Sequence, residues 1–187
     1  MSNDPAFRTP LSDSNSRVPP HNVDAEASLL GAMLLSRDAI GPAVETLDGD
    51  QFYVPAHGYI FDAIASLYGA GEPADPVTVA EELTRSGLLE QIGGPQRLLE
   101  LQTATPASSN AARYAQIVEE HALLRRLIGV AGDIVELGYS RPEDVVKTVD
   151  EAEAMMFQIA ERRVVDTTKP ISCLLYTSDA ADEGLGV

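Results

Sequence analysis

The chain has 187 residues, of which 44% are hydrophobic and 22% charged, a composition typical of a globular protein that can bury a core. Its 29 acidic and 13 basic side chains give a formal net charge of −16, which would repel a phosphate backbone and argues against direct nucleic-acid binding. The sequence has no signal peptide, no apolar run near the roughly 18 residues of a membrane span, and a single cysteine, so we expect a cytoplasmic protein without disulfides.

The first predicted element is a disordered tail, residues 1–21. It is rich in Ser, Asn, Asp and Pro, and it has too few apolar side chains to offset the entropy cost of ordering. A helix then begins after Asn22, a preferred N-cap residue. Apolar residues recur along it at helical spacing, at Val23, Ala27, Leu30 and Leu34. We expect this face to pack on a core.

Four further short helices are predicted in the head. Proline and glycine punctuate this region, and Gly87 is placed to end a helix in the left-handed conformation. Ser36 is a plausible cap for the second helix, in which Gly41 and Pro42 must lie in the first turn or bend it. The predicted ranges are about 36–47, 55–69, 75–87 and 95–101. The segment 22–106 is therefore read as a compact helical head.

A stretch of small polar residues separates the head from two longer predicted helices. The first extends from a cap at Asn110 to about Leu137, where Gly138 ends it, and the second follows a capping-box pattern at 140–143. A connection of about three residues makes the two helices an antiparallel hairpin, which we assign to 107–164. The expected fold class is all-α, a multi-helix head followed by a long helical hairpin.

The long helix carries two apolar seams about 100° apart, and one hairpin partner can cover only one of them. We assign one seam and its counterpart on the returning helix to the hairpin core: Ile117, Leu124, Ile128, Val135, Val145, Val149, Met156 and Ile159. The other seam is the predicted dimer interface: Leu123, Leu127, Val130, Ile134 and Leu137. The head could fold back over this second seam, or a second copy could cover it; we favour a twofold pairing of hairpins.

No catalytic, cofactor-binding or metal-binding pattern is found in the sequence. A phosphate-binding loop needs a lysine directly after a glycine, and neither Lys147 nor Lys169 has that position. The three histidines, His21, His57 and His121, lie far apart, and we interpret His57 and His121 as structural and His21 as the residue before a cap. The chain is therefore expected to bind no cofactor and no metal.

Two arginine pairs could bind phosphate. They lie at 125–126 and 162–163 on the long helices. Helix-face arginines more often pair with nearby carboxylates, so we expect Glu119, Glu120 and neighbouring acids as their partners.

Several spaced motifs stand in a recognisable order along the chain. They are Pro19-Pro20-His21-Asn22 with Ala25-Glu26, Ser28 and Leu30-Gly31, then Phe52-Tyr53 with Pro55, His57 and Ile60-Phe61, then Thr103, Thr105-Pro106, Asn110, Tyr114-Ala115 and Ile117-Val118. Together they resemble one family, the N-terminal domain of the bacterial replicative DNA helicase of the DnaB type. The similarity extends over about residues 17–163.

The resemblance implies a function in DNA replication. Members of this family pair their hairpins into dimers, and three dimers form the collar of a hexameric ring on which primase docks. The full-length proteins are ATP-dependent helicases, and ATP and Mg²⁺ are expected only in a RecA-like ATPase domain that this chain lacks. Residues 171–187 depart from the family pattern, and we expect a linker remnant followed by a cloning-derived tail over residues 165–187.

One alternative remains open from the residues alone. An acidic helical adaptor unrelated to replication could use the same hairpin to bind a different protein.

Overall fold

A computed structural model describes residues 18–105, 107–140 and 144–165, with side chains described to residue 159. Seven α-helices and no strand lie in these ranges, which confirms the all-α prediction. The helices are α1 Val23–Leu35, α2 Ile40–Thr46, α3 Pro55–Gly69, α4 Pro76–Arg85, α5 Pro95–Ala104, α6 Ala111–Tyr139 and α7 Val145–Val165. None of the described helices is long and apolar enough to cross a membrane.

Helix α1 is the centre of the head. Asn22 caps it, as predicted, because its side-chain oxygen accepts a hydrogen bond of 2.9 Å from the amide of Ala25. The helix packs against α3, α5 and α6, and most of its residues are buried, so it has no solvent face of the usual kind. The predicted core face is therefore only part of what it buries. The largest side chains with less than 2% exposure across the head include Leu29, Leu30, Met33, Ile40, Ile60, Ile64, Leu83 and Leu98.

Close approach of α1 to α5 depends on Gly31. A Cβ atom at this position would lie 2.1 Å from the carbonyl oxygen of Leu101 and 1.8 Å from Oγ1 of Thr105. Both distances are far below van der Waals contact, so any side chain here would separate the two helices. Gly31 thus allows α1 and α5 to pack closely in the core, on which α6 also packs.

The ends of the head helices agree with the sequence in most cases. Asp75 caps α4 through hydrogen bonds from the amides of Val77 and Thr78, and Gly87 follows the helix with φ of 73° in the left-handed region. Helix α5 runs to Ala104, three residues beyond the predicted end. The second predicted helix is split: a 3₁₀ turn at Arg37–Ala39 precedes α2, and Ser36 makes no side-chain cap.

Two caps of the hairpin differ from the prediction. Asn110 makes no capping hydrogen bond, because a 3₁₀ turn at Ser108–Asn110 leads directly into α6. Helix α6 also continues through Gly138 to Tyr139. Residues 141–143 of the predicted capping box lie outside the described part of the chain, and Asp144 accepts a hydrogen bond of 3.1 Å from the amide of Lys147 at the start of α7.

The predicted tail is only partly within the described residues. Residues 1–17 lie outside them, but residues 18–21 have defined contacts. The ring of His21 stacks on that of Tyr53, and the carbonyl of Pro20 accepts a hydrogen bond from Arg125. Pro20 and His21 therefore contact the packed head, contrary to the prediction of a disordered tail up to residue 21, because ring stacking and hydrogen bonding compensate for their few apolar side chains.

Candidate interaction site at the head and the hairpin

A buried carboxylate joins α1 to the beginning of α3. Glu26 is 1% exposed, and its Oε1 accepts a hydrogen bond of 2.6 Å from the amide of Tyr53. Its Oε2 accepts from the amide of Val54 at 3.3 Å and lies 2.9 Å from Nδ1 of His57. The amides belong to the residues just before Pro55, where α3 begins. One side chain of α1 thus fixes both the backbone entry to α3 and a histidine in its first turn.

The histidine is held from both sides. His57 is 1% exposed, and its Nε2 lies 3.3 Å from the guanidinium of Arg97 on α5. Because an arginine side chain can only donate, Nε2 must accept and the proton of the neutral ring must sit on Nδ1, from which it is donated to Glu26. With both residues of the pair closed to solvent, no substrate can reach them. The row Arg97, His57 and Glu26 therefore positions three helices, in agreement with a structural role for His57.

The electrostatics of Glu26 are set by opposing effects. Burial on its own raises the pKa of the carboxyl, whereas the hydrogen bond from His57 and those from the Tyr53 and Val54 amides lower it. The net effect lowers the pKa of Glu26 below its ordinary value of 4.5. The ionised form is thus the one that the folded head stabilises.

Tyr53 connects this buried row to the root of the hairpin. Its amide binds Glu26, while its ring stacks on His21 with centroids 4.1 Å apart. On the same ring lies the guanidinium of Arg125 from α6, 5.8 Å from the centroid. Arg125 also donates hydrogen bonds to the carbonyls of Pro20, at 2.7 Å, and Gln51. Backbone carbonyls of the head are therefore partners of Arg125, which the predicted pairing with acids on its own helix did not include.

These contacts fix how α6 is rotated on the head. Its first turns bury Ala115, Val118 and Ala122 against the core, and Ile117 packs on the same core. His121 is half-buried and lies 2.7 Å from the carbonyl oxygen of Ile117 through Nδ1, which fits the structural role predicted for it. Beyond Arg125, α6 continues to Tyr139 and packs against α7.

The burial of the hairpin shows which faces meet. Half-buried positions on the distal part of α6 and on α7 recur at heptad spacing: Leu123, Val130, Ile134, Leu137, and Thr148, Ala152, Met155, Ile159. Because α6 and α7 are in contact, we infer that these positions face each other. The seam assigned from the sequence to a dimer interface would then be covered by α7 within the chain, except that Leu127 remains 39% exposed.

The assignment of the hairpin core needs the converse correction. Six of its eight residues are exposed between 45% and 66%: Leu124, Ile128, Val135, Val145, Val149 and Met156. Only Ile117 and Ile159 are half-buried. The physical reason is that both seams have the same spacing, and the rotation of α6, which the head sets, decides which of them meets the returning helix.

The six exposed residues lie on one side of the hairpin, here called the apolar flank. Successive residues turn by about 100° around a helix, so on two antiparallel helices the residues that follow the contact positions lie on the same side of the pair. The opposite side of the hairpin is polar, with Asp133, Glu136, Lys147, Glu151 and Gln158. Among the described residues, the head does not fold back over the apolar flank.

Neither lysine follows a glycine, so the sequence has no phosphate-binding loop. Within the described ranges, no group of three or more His, Cys, Asp or Glu side chains could hold a metal ion.

Comparison with known proteins identifies close relatives. A family described as "DnaB-like helicase N terminal domain" matches residues 18–120. The replicative DNA helicase DnaB of Mycobacterium leprae is 48% identical over 176 residues, which cover 92% of this chain and 29% of that protein. The chain spans about a third of the length of the curated relatives that it matches.

Solved structures match the fold as well. The N-terminal domain of DnaB helicase from Mycobacterium tuberculosis is 50% identical with a TM-score of 0.72, over 75% of this chain and 99% of that one. The N-terminal domain of DnaB helicase from Helicobacter pylori, whose interactions with primase have been described, is 21% identical with a TM-score of 0.55, over 62% of this chain and 90% of that one. At that identity the second match is evidence for the fold alone.

Replacing Glu26 with Gln is expected to lower the free energy of unfolding by about 3 kcal/mol near neutral pH. The NH₂ group of the glutamine would point at N–H groups that now donate to the carboxylate, so at least one of these hydrogen bonds would be lost. The lowered pKa means that ionised Glu26 stabilises the head above pH 4.5 and that this contribution is lost as pH falls below it. The difference in free energy of unfolding between parent and variant should therefore become smaller as the pH falls below 4.5. Urea unfolding followed by circular dichroism at several pH values measures it. Glu81→Gln, an exposed change of the same charge, is the control; a pH-independent difference would contradict the assignment.

Arg125→Ala should lower the free energy of unfolding by about 2–3 kcal/mol, because the Pro20 and Gln51 carbonyls would lose a charged hydrogen-bond donor. Arg126→Ala removes the same charge from an exposed position one residue away and should change the free energy of unfolding by about 0.5 kcal/mol or less. Denaturant titrations of both variants test the difference. Equal stability of the two variants would show that Arg125 does not anchor the hairpin.

Proposed function

Because the chain belongs to the DnaB-like helicase N-terminal domain family, we propose that it forms part of the collar of a replicative DNA helicase, where it mediates self-assembly and primase docking. The observation that carries the proposal is the apolar flank of the hairpin. An exposed apolar stripe of this length is unusual on a protein that remains a monomer.

Assembly would begin with two copies that pair through their apolar flanks. A twofold axis lets the same six residues of each chain meet, which gives a four-helix interface of the obligate kind, burying about 2,000 Å² or more. The polar flank would stay in water. Three such dimers would then form the upper tier of a hexameric ring, as the family resemblance implies.

Primase docking gives the collar its function in replication. A collar that holds primase raises its effective concentration at the single strand that leaves the ring. The net charge of −16 is compatible with this task, because an acidic domain can bind a protein partner without competing for DNA.

The remaining parts of the activity are proposed to lie outside this chain. ATP and Mg²⁺ would act in a separate ATPase domain, since the sequence here has no phosphate-binding loop. A cytoplasmic location is part of the same proposal.

Val149→Arg tests the proposed dimer. The substitution places one arginine on the apolar flank of each copy, so a twofold interface would bury two charges. Self-association should weaken by about 100-fold or more. Light scattering should give an even multiple of the 20.0 kDa chain for the parent and a single chain for the variant. Ala154→Arg adds the same charge to the polar flank of α7 and should assemble like the parent. A monomeric parent at micromolar concentration, or a Val149→Arg variant with the parental mass, would refute the interface.

Primase docking is tested by calorimetric titration with the C-terminal region of the cognate primase. The parent should bind with a Kd below about 100 μM, while primase that lacks this region should not bind. Failure of a folded, self-associated parent to bind would favour the adaptor unrelated to replication.

A further inference from the structure

A groove on the head is a second surface without an assigned role. It has a volume of about 230 Å³ and lies between the connection from α1 to α2 and the connection from α3 to α4. Buried Met33, Leu34 and Ile40 line it, together with Pro73 and Ala74. Leu35 lies at its edge and is 50% exposed, although it belongs to the central helix of the head. The lining is thus mostly apolar.

The size of the groove limits what it can bind. Pockets for cofactors and other small molecules usually measure about 300–1,000 Å³, so this one is too small for a nucleotide. It is large enough for one bulky side chain presented by another protein. Its apolar lining favours an aliphatic or aromatic side chain.

Charges around the groove indicate which residue type should stand next to that apolar side chain in the bound segment. One edge has Arg37, whose guanidinium already lies 5.3 Å over the ring of Tyr68, with Asp38 beside it in sequence. The other edge has Glu72 and Asp75. This second edge is therefore acidic, within a chain of net charge −16. A lysine or arginine beside the apolar side chain would be attracted, and an acidic segment would be repelled.

The groove is also formed before any partner binds. The carboxylate of Asp75 accepts hydrogen bonds from the amides of Val77, at 2.8 Å, and Thr78, at 3.1 Å. Such a fixed edge reduces the entropy cost of association. None of the lining residues belongs to α6 or α7, so the groove is separate from the apolar flank.

We propose that this groove is a docking point for primase and takes one bulky apolar side chain, flanked by a lysine or arginine, from the C-terminal region of that protein. The inference rests on the proposed primase-docking function and assigns it a place on the head. A second copy of this chain is a less suitable occupant, because its acidic surface would meet an acidic edge.

Leu35→Asp is the main test. Calorimetric titration with the C-terminal region of the cognate primase should show an affinity at least about tenfold lower than that of the parent. The matched control is Leu99→Asp, since Leu99 on α5 is 46% exposed and outside the groove; it should bind within about twofold of the parent. Thermal unfolding of both variants verifies that the head remains folded.

Glu72→Lys tests the basic neighbour. Its side chain is exposed, so the fold should tolerate the change, while affinity should fall and depend less on salt. If the parent binds primase and Leu35→Asp binds equally well, the groove is not the docking point and the proposed function still stands. If the parent does not bind at all, the proposed function fails and the groove assignment fails with it. Unchanged affinity of Glu72→Lys overturns the basic neighbour.

Discussion

The buried carboxylate of Glu26 is the constraint around which the head is arranged. An ionised group closed to water is costly unless nearly every lone pair is used, and here two backbone amides and a histidine proton satisfy it. All three donors lie at the start of α3, so the carboxylate can be satisfied only when α1 and α3 meet at one register. Because Arg97 approaches the far side of His57, α5 is tied to the same register. A purely apolar core would permit more ways of sliding these helices.

That register extends to the hairpin through Tyr53. The amide of Tyr53 donates to Glu26, and its ring contacts His21 and Arg125. One residue therefore links the buried polar row of the head to the beginning of the hairpin. Arg125 is a suitable residue for this position, because its planar, permanently charged group can bind two carbonyls and lie over a ring at the same time. The rotation of α6 follows from that contact. That rotation decides which seam of α6 packs on α7 and which seam is left as the apolar flank.

The distribution of charge and apolar surface separates two kinds of contact. The apolar flank extends along both helices of the hairpin, which suits a permanent partner of the same shape. The groove at Leu35 is small, has an acidic edge and lies entirely on the head. Such a surface suits a weaker contact with a different protein, which could form and dissociate without disturbing the proposed pairing of the hairpins.

Local sequence determined much of this protein. Caps such as Asn22 and Asp75, the prolines that begin α3, α4 and α5, and the left-handed Gly87 act within one helical turn, so most helices of the head could be predicted from the chain alone. The presence of two seams on α6 was equally visible, since heptad spacing depends only on order along the chain. The tertiary structure decided the rest. Glu26 looked like an ordinary first-turn acid and Arg125 like a surface charge, because their partners lie 27 and 74 residues away. The two seams could be told apart only once Arg125 and the buried face of α6 had fixed its rotation, because identical spacing contains no information about which side of a helix another helix will cover.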